Sequence, residues 1–141
     1  MDPLNTFLTI FNELDHTSLN RLDTIYHPDI RFTDPAHTLK GLPALKDYFA
    51  ALYENVRSIR FFFDARMMTG NQAFVTWTMA LSHPRLAGGR TVSVDGCSHL
   101  TFASDGRVTV HRDYFGLGAM VYEHLPVVGG LIRTVKKRLG S

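Results

Sequence analysis

Arg57-Ser-Ile-Arg-Phe-Phe-Phe-Asp-Ala-Arg-Met-Met68 is the stretch in which the hydrophobic period of this chain changes. Up to Val56 the apolar residues recur at helical spacing. From Arg57 onward Ile59, Phe61, Phe63, Ala65 and Met67 alternate with Arg60, Phe62, Asp64, Arg66 and Met68, the period of two that a strand imposes. Upstream, Asp2-Pro3 reads as an N-cap with proline in the first turn. Leu4, Phe7, Leu8, Phe11 and Leu14 form one helical stripe, and Leu19, Leu22, Ile25 and Tyr26 form a shorter one that stops at His27-Pro28. Ile30 to Thr33 is a short strand and Asp34 to Lys40 a loop. Leu42-Pro43 opens a third helix, with Leu45, Tyr48, Phe49, Leu52 and Val56 inward.

Downstream, Thr69-Gly70-Asn71 turns the chain into Phe74 to Leu81, where Val75, Trp77, Met79 and Leu81 share a face. A Pro- and Gly-containing loop leads to a long strand over Thr91 to Ala103, in which Gly96 is a candidate bulge. Asp105-Gly106 signals a hairpin before the last strand, Val108 to Phe115. Helices followed by four long strands make an α+β fold. Bent strands covered by helices on one side leave a concave interior suited to a small ligand.

The bulk properties narrow the function classes. At 141 residues the chain suits one domain, and 45% hydrophobic with 20% charged residues is ordinary globular composition. A single cysteine, Cys97, excludes an internal disulfide framework and suits a reducing compartment. The first residues lack the charged and apolar regions of a secretory signal, so a cytoplasmic location is expected. The net charge of +2 is unevenly spread: Arg133, Lys136, Lys137 and Arg138 are clustered, and the remaining body has 11 basic against 13 acidic residues. That is a basic end, not a nucleic-acid-binding face.

Ile25-Tyr-His-Pro-Asp-Ile-Arg-Phe-Thr-Asp-Pro35, followed by Gly41 and the helix Ala44 to Phe49, resembles the ketosteroid isomerase and SnoaL-like families of the NTF2-like superfamily. So does Asp105-Gly-Arg-Val-Thr-Val-His-Arg-Asp-Tyr-Phe-Gly116. The likeness runs from about Leu4 to Gly116. It implies an NTF2-like cone, three N-terminal helices packed on a strongly curved antiparallel sheet; the tail departs from that family pattern, and its own spacing adds an expected extra C-terminal helix. The single domain is 1–141, with 117–141 a helical extension. Those families include isomerases, polyketide cyclases, epoxide hydrolases, dehydratases and modules that only bind, so fold analogy does not fix an activity.

The resemblance also assigns residues. Asp34 falls where ketosteroid isomerase keeps its catalytic carboxylate, which takes a proton beside a carbonyl. The oxyanion donors of that enzyme do not carry over: Ile10 stands near the tyrosine position, and Ser98 at that of the neutral acid. SnoaL-like cyclases are similar in placing an acid/base aspartate on the last strand, which points to Asp113, with His111 on the same face. Trp77, Ser98, Leu100, Phe102, Phe115, Phe61, Phe63 and Phe11 are the expected pocket lining. His99 is expected to face the opposite side from Ser98.

Each assignment has an ordinary structural counterpart. Asp34 before Pro35 is a common turn residue. Asp113 could form an ion pair with Arg60, Arg66 or Arg112, and His111 could be a satisfied core histidine. The seven histidines lack the spacing of a metal site, and no glycine-rich phosphate loop is present, so neither metal nor cofactor is expected. In the tail, Val128, Leu131, Ile132, Val135 and Leu139 form an amphipathic stripe. Its readings are a helix capping the cone, one crossing a dimer interface, and peripheral contact of 128–139 with an anionic membrane.

Two functions remain. One is a cofactor-free isomerase, cyclase, dehydratase or hydrolase acting on a small apolar, carbonyl-bearing molecule. The other is a non-catalytic module binding an apolar molecule or a protein. A homodimer is expected in either case, paired through the outer sheet face around Phe62 and Met68.

Overall fold

The computed structural model describes residues 2–56, 58–82, 84 and 91–116. Asp2 caps the first helix, α1 (Pro3–Glu13), by accepting the Asn5 backbone N–H at 2.7 Å, and Leu4, Phe7, Leu8 and Phe11 are buried on its inner stripe. A 3₁₀ turn (Leu19–Arg21) leads into α2 (Leu22–Ile25), then β1 (Tyr26–Thr33), β2 (Thr38–Lys40) and α3 (Leu42–Asn55). Four long strands follow: β3 (Ser58–Thr69), β4 (Gln72–Ser82), β5 (Val92–Phe102) and β6 (Val108–Phe115). Among the described residues three α-helices and one sheet make the fold α+β. The expected C-terminal helix over 117–141, and with it the expected membrane contact of 128–139, lies outside the described residues.

The strongly curved antiparallel cone is not what forms. Among the described residues the six strands lie in the order β2-β1-β6-β5-β4-β3, an open sheet with β2 and β3 as its edges. It is mixed, because β1 runs parallel to β6, Arg31 opposite Val110 and Thr33 opposite Arg112. Periodicity identifies a strand but not its partner, and this pairing joins segments from opposite ends of the domain. The expected source of curvature is also absent. β4 and β5 pair without interruption from Gln72–Thr101 to Leu81–Val92, straight through Gly96, so Gly96 is no bulge. The register shifts instead between Phe63 and Arg66 on β3 and between Thr101 and Phe102 on β5.

The β3 shift inserts one extra residue and reverses the side-chain alternation beyond it. The Ala65 N–H at the bulge donates to Thr76 Oγ1 at 3.0 Å. Arg66 and Met68 therefore fall on the side of Val75 and Ala73, while Met67 stands beside Phe74. The outer face thus carries Phe62 and Met67, not Met68, together with Phe74, Val110 and Tyr114, all exposed. His99 lies on this face too, stacked on Phe74 with ring centroids 4.3 Å apart. On the inner face Val75, Trp77, Met79, Leu81, Val92, Val94, Leu100 and Phe102 meet the helical stripes to form one core. No described helix is long and apolar enough to cross a membrane.

Candidate functional site

Gly96 creates the site by what it lacks. A Cβ on Gly96 would lie 2.5 Å from Trp77 Cζ2 and closer still to Cη2, so only glycine lets the indole lie across β5. Placed there, Trp77 Nε1 donates to Ser98 Oγ at 2.9 Å. Ser98 donates to Asp113 Oδ1 at 2.5 Å, across the Ser98–Asp113 pair of the β5–β6 ladder. His111, two residues back on the same face, lies with Nε2 2.6 Å from that same Oδ1. Its Nδ1 is 2.7 Å from the hydroxyl of Tyr26, which reaches it from β1. Trp77, Ser98, Asp113, His111 and Tyr26 thus form one hydrogen-bonded chain centred on a single carboxylate oxygen. Among the described residues Oδ2 of Asp113 makes no hydrogen bond.

Aromatic rings hold this chain in place. Phe7, Phe32 and Tyr26 surround the His111 ring, with centroids 5.9, 4.9 and 5.8 Å away. His111 is 3% exposed at its side chain and Asp113 17%, so the acid is the more accessible of the two. Burial drives the pKa of the Tyr26 hydroxyl well above its ordinary value, and the Asp113 charge adds to this. Tyr26 therefore stays neutral at any working pH.

Ser98, His111 and Asp113 border a cavity of about 10 Å³ otherwise walled by Phe7, Leu8, Phe11, Phe61, Phe63, Val75 and Trp77. That is room for about one water. An open groove of about 760 Å³ lies between α1 and β3, and Leu8 and Phe63 line both spaces, forming the partition between them. Of the expected lining, Phe11, Phe61, Phe63, Trp77 and Ser98 border the cavity. Leu100 and Phe102 do not, because they are buried in the core farther along β5. Phe115 pairs opposite Gly96 and abuts Trp77 at 6.2 Å, outside the lining. Sequence reasoning missed Tyr26, Phe7, Leu8 and Val75 as site residues. Phe7, Leu8 and Val75 were legible as inward positions, whereas Tyr26 reads only as the end of a helical stripe.

Asp34 belongs to a separate group. Its Oδ1 accepts the backbone N–H of Ala36 at 2.8 Å and of His37 at 2.7 Å, and its Oδ2 accepts from Tyr48 at 3.0 Å. These are the bonds of a turn residue, and they join β1 to β2. Burial pushes the Asp34 carboxyl up, but the His37 side chain, the Ala36 amide and Tyr48 outweigh it and hold the pKa below the ordinary range. Asp34 does not border the cavity and does not meet Asp113. Among the described residues no arginine pairs with Asp113; Arg66 instead bonds Asn5, Arg60 lies over Phe62, and Arg112 lies over Tyr114 on the outer face.

The chain contains the residue types of a hydrolytic triad in a different connectivity. The carboxylate stands between serine and histidine, so His111 cannot take the Ser98 proton. A proton acceptor is available instead, Asp113, beside an apolar wall. No group of three or more potential metal ligands occurs among the described residues.

The family described as SnoaL-like domain matches residues 6–111. No curated protein matches the chain. Solved structures similar to it include an NTF2-like protein of unknown function from Burkholderia pseudomallei K96243, 17% identical, covering 87% of this chain and 95% of that one, with a TM-score of 0.74. TerC co-crystallised with polyporic acid is 18% identical over 83% and 91% of the two chains, at a TM-score of 0.70. A putative SnoaL-like polyketide cyclase from Jannaschia sp. CCS1 is 18% identical over 72% and 74%, at 0.63. At such identities the structures bear on the fold alone.

Proposed function

The chain belongs to the SnoaL-like domain family, and from that premise we propose that it binds a small apolar, carbonyl-bearing molecule against Asp113, which exchanges a proton with it. The observation that carries this reading is Asp113 itself, a carboxylate pinned through one oxygen at an aromatic-walled cavity. Such a group accepts a proton from carbon only when it is held close and water is kept away. The present cavity is too small for an organic ligand, and access is supplied by Phe63. It sits half-buried on edge strand β3 and separates cavity from groove, so its rotation would join the two spaces. TerC, co-crystallised with polyporic acid, offers a precedent for a ligand within this fold.

A second reading, binding without chemistry, is favoured by one specific feature. The Ser98 hydroxyl and one nitrogen of His111 are both directed to Asp113, and Ile10 has no donor side chain. A developing oxyanion would thus find no free donor among these side chains. One experiment separates the readings, using α-tetralone as the probe in deuterated water. Trp77 is the sole tryptophan, so saturable quenching of its emission reports occupancy. Protein-dependent deuterium exchange at the ketone's α-carbon, abolished in Asp113→Asn, supports proton transfer. Quenching without exchange supports the binding module. If neither is seen, even in Phe63→Ala where the Phe63 part of the partition is removed, the site reading is wrong.

We also propose that two copies pair through the outer sheet face. Phe62, Met67, Phe74, Val110 and Tyr114 are too many large apolar side chains to leave in water without use.

A further inference from the structure

We propose that Tyr26 is a positioning residue of this site, its hydroxyl fixing the tautomer of His111 and so deciding which oxygen of Asp113 meets a ligand. The consequence rests on the acid–base reading of Asp113; the tautomer is a property of the free protein.

The hydrogens along this chain have one complete assignment. Trp77 Nε1 can only donate. Ser98 accepts from it and has one hydrogen to give, directed at Asp113 Oδ1. At the other end the Tyr26 side chain is fully buried, and among the described residues its hydroxyl meets only His111 Nδ1. With Nδ1 bare, Tyr26 donates to it, and Nε2–H donates to Oδ1. Every hydrogen then has an acceptor.

The other tautomer fails at both contacts. Nδ1–H would point at Tyr26, leaving the buried hydroxyl hydrogen without an acceptor. The lone pair of Nε2 would face Oδ1, which already accepts from Ser98. Low dielectric makes both faults costly. Ring rotation is no escape, because Phe7, Phe32 and Tyr26 pack around the imidazole. The two fixed donors therefore end on Oδ1, and Oδ2 is the oxygen left to exchange a proton. His111 is a fixed donor in this arrangement, not the acid or base.

The test is long-range proton–nitrogen correlation on nitrogen-15 histidine-labelled protein without ligand, at neutral pH, with His111→Gln assigning the signals. The expected spectrum has a bare Nδ1 and a protonated Nε2. In Tyr26→Phe the two resonances shift toward each other as the tautomers mix. Trp77→Phe, which removes the donor at the opposite end, leaves them in place, whereas general loosening of the site would move them in both variants. A protonated Nδ1 in the native protein overturns the proposal, as does an unchanged pattern in folded Tyr26→Phe. Should Tyr26→Phe fail to fold, the native spectrum alone decides. None of these outcomes depends on whether α-tetralone binds or exchanges.

Discussion

Gly96→Ala tests the packing on which the site is built. The added methyl would overlap three ring atoms of Trp77. The ring cannot simply step aside, since Phe61 stands edge-on to it at 5.3 Å and Phe115 lies at 6.2 Å. Forcing a methyl into such a site costs about 1–3 kcal/mol. Displacing the indole also breaks the Trp77–Ser98 bond, a further ~1 kcal/mol. Alanine recovers about 0.5–1 kcal/mol of the backbone entropy that glycine costs in a strand. The net expectation is a loss of about 2 kcal/mol, or roughly 8 °C in melting temperature for a domain of this size. Denaturant unfolding followed by emission measures the loss directly, and the single tryptophan makes the signal specific. Native Gly96→Ala should also show red-shifted emission, because the displaced ring leaves a site now 5% exposed. Unchanged stability together with unchanged emission would refute the claim that Gly96 is kept for the indole.

Asp34 has a lowered pKa in the folded protein, so its contribution is present above its unfolded value and is lost as pH falls through the folded one. Asp34→Asn should destabilise by about 1–3 kcal/mol at neutral pH, with the difference from the native protein shrinking below about pH 4; a constant difference down to pH 2 counts against this. Burial raises the pKa of Tyr26, Tyr48 and Tyr53, the last to about 12. Their contribution is complete below about pH 10 and is lost as pH rises through the folded values. Spectrophotometric titration should show part of the tyrosine signal delayed until unfolding, and simultaneous ionisation of all five in a folded protein would contradict it. Sedimentation should find a dimer that Phe74→Lys converts to a monomer with near-native stability; a native monomer removes the pairing proposal.

Local chemistry is what the sequence by itself determined. Asp2-Pro3 had to start a helix, and the change of period at Arg57 had to start strands, because backbone propensity and alternation act over a few residues. The inward set Phe61, Phe63, Val75 and Trp77, the shared face of His111 and Asp113, and the outward turn of His99 followed from the same alternation. Alternation stops being informative where a bulge interrupts it, which is why Met67 and Met68 exchange faces. It is also silent about partners. Only the tertiary structure put β1 parallel to β6, left the sheet open, and sent Asp34 into a turn with Tyr48 rather than to the cavity. The same pairing brought Tyr26 to His111, 85 positions away in the chain. Gly96 shows the limit most clearly: a glycine in a strand can permit a bulge or a close approach, and only the neighbouring strand's tryptophan decides between them.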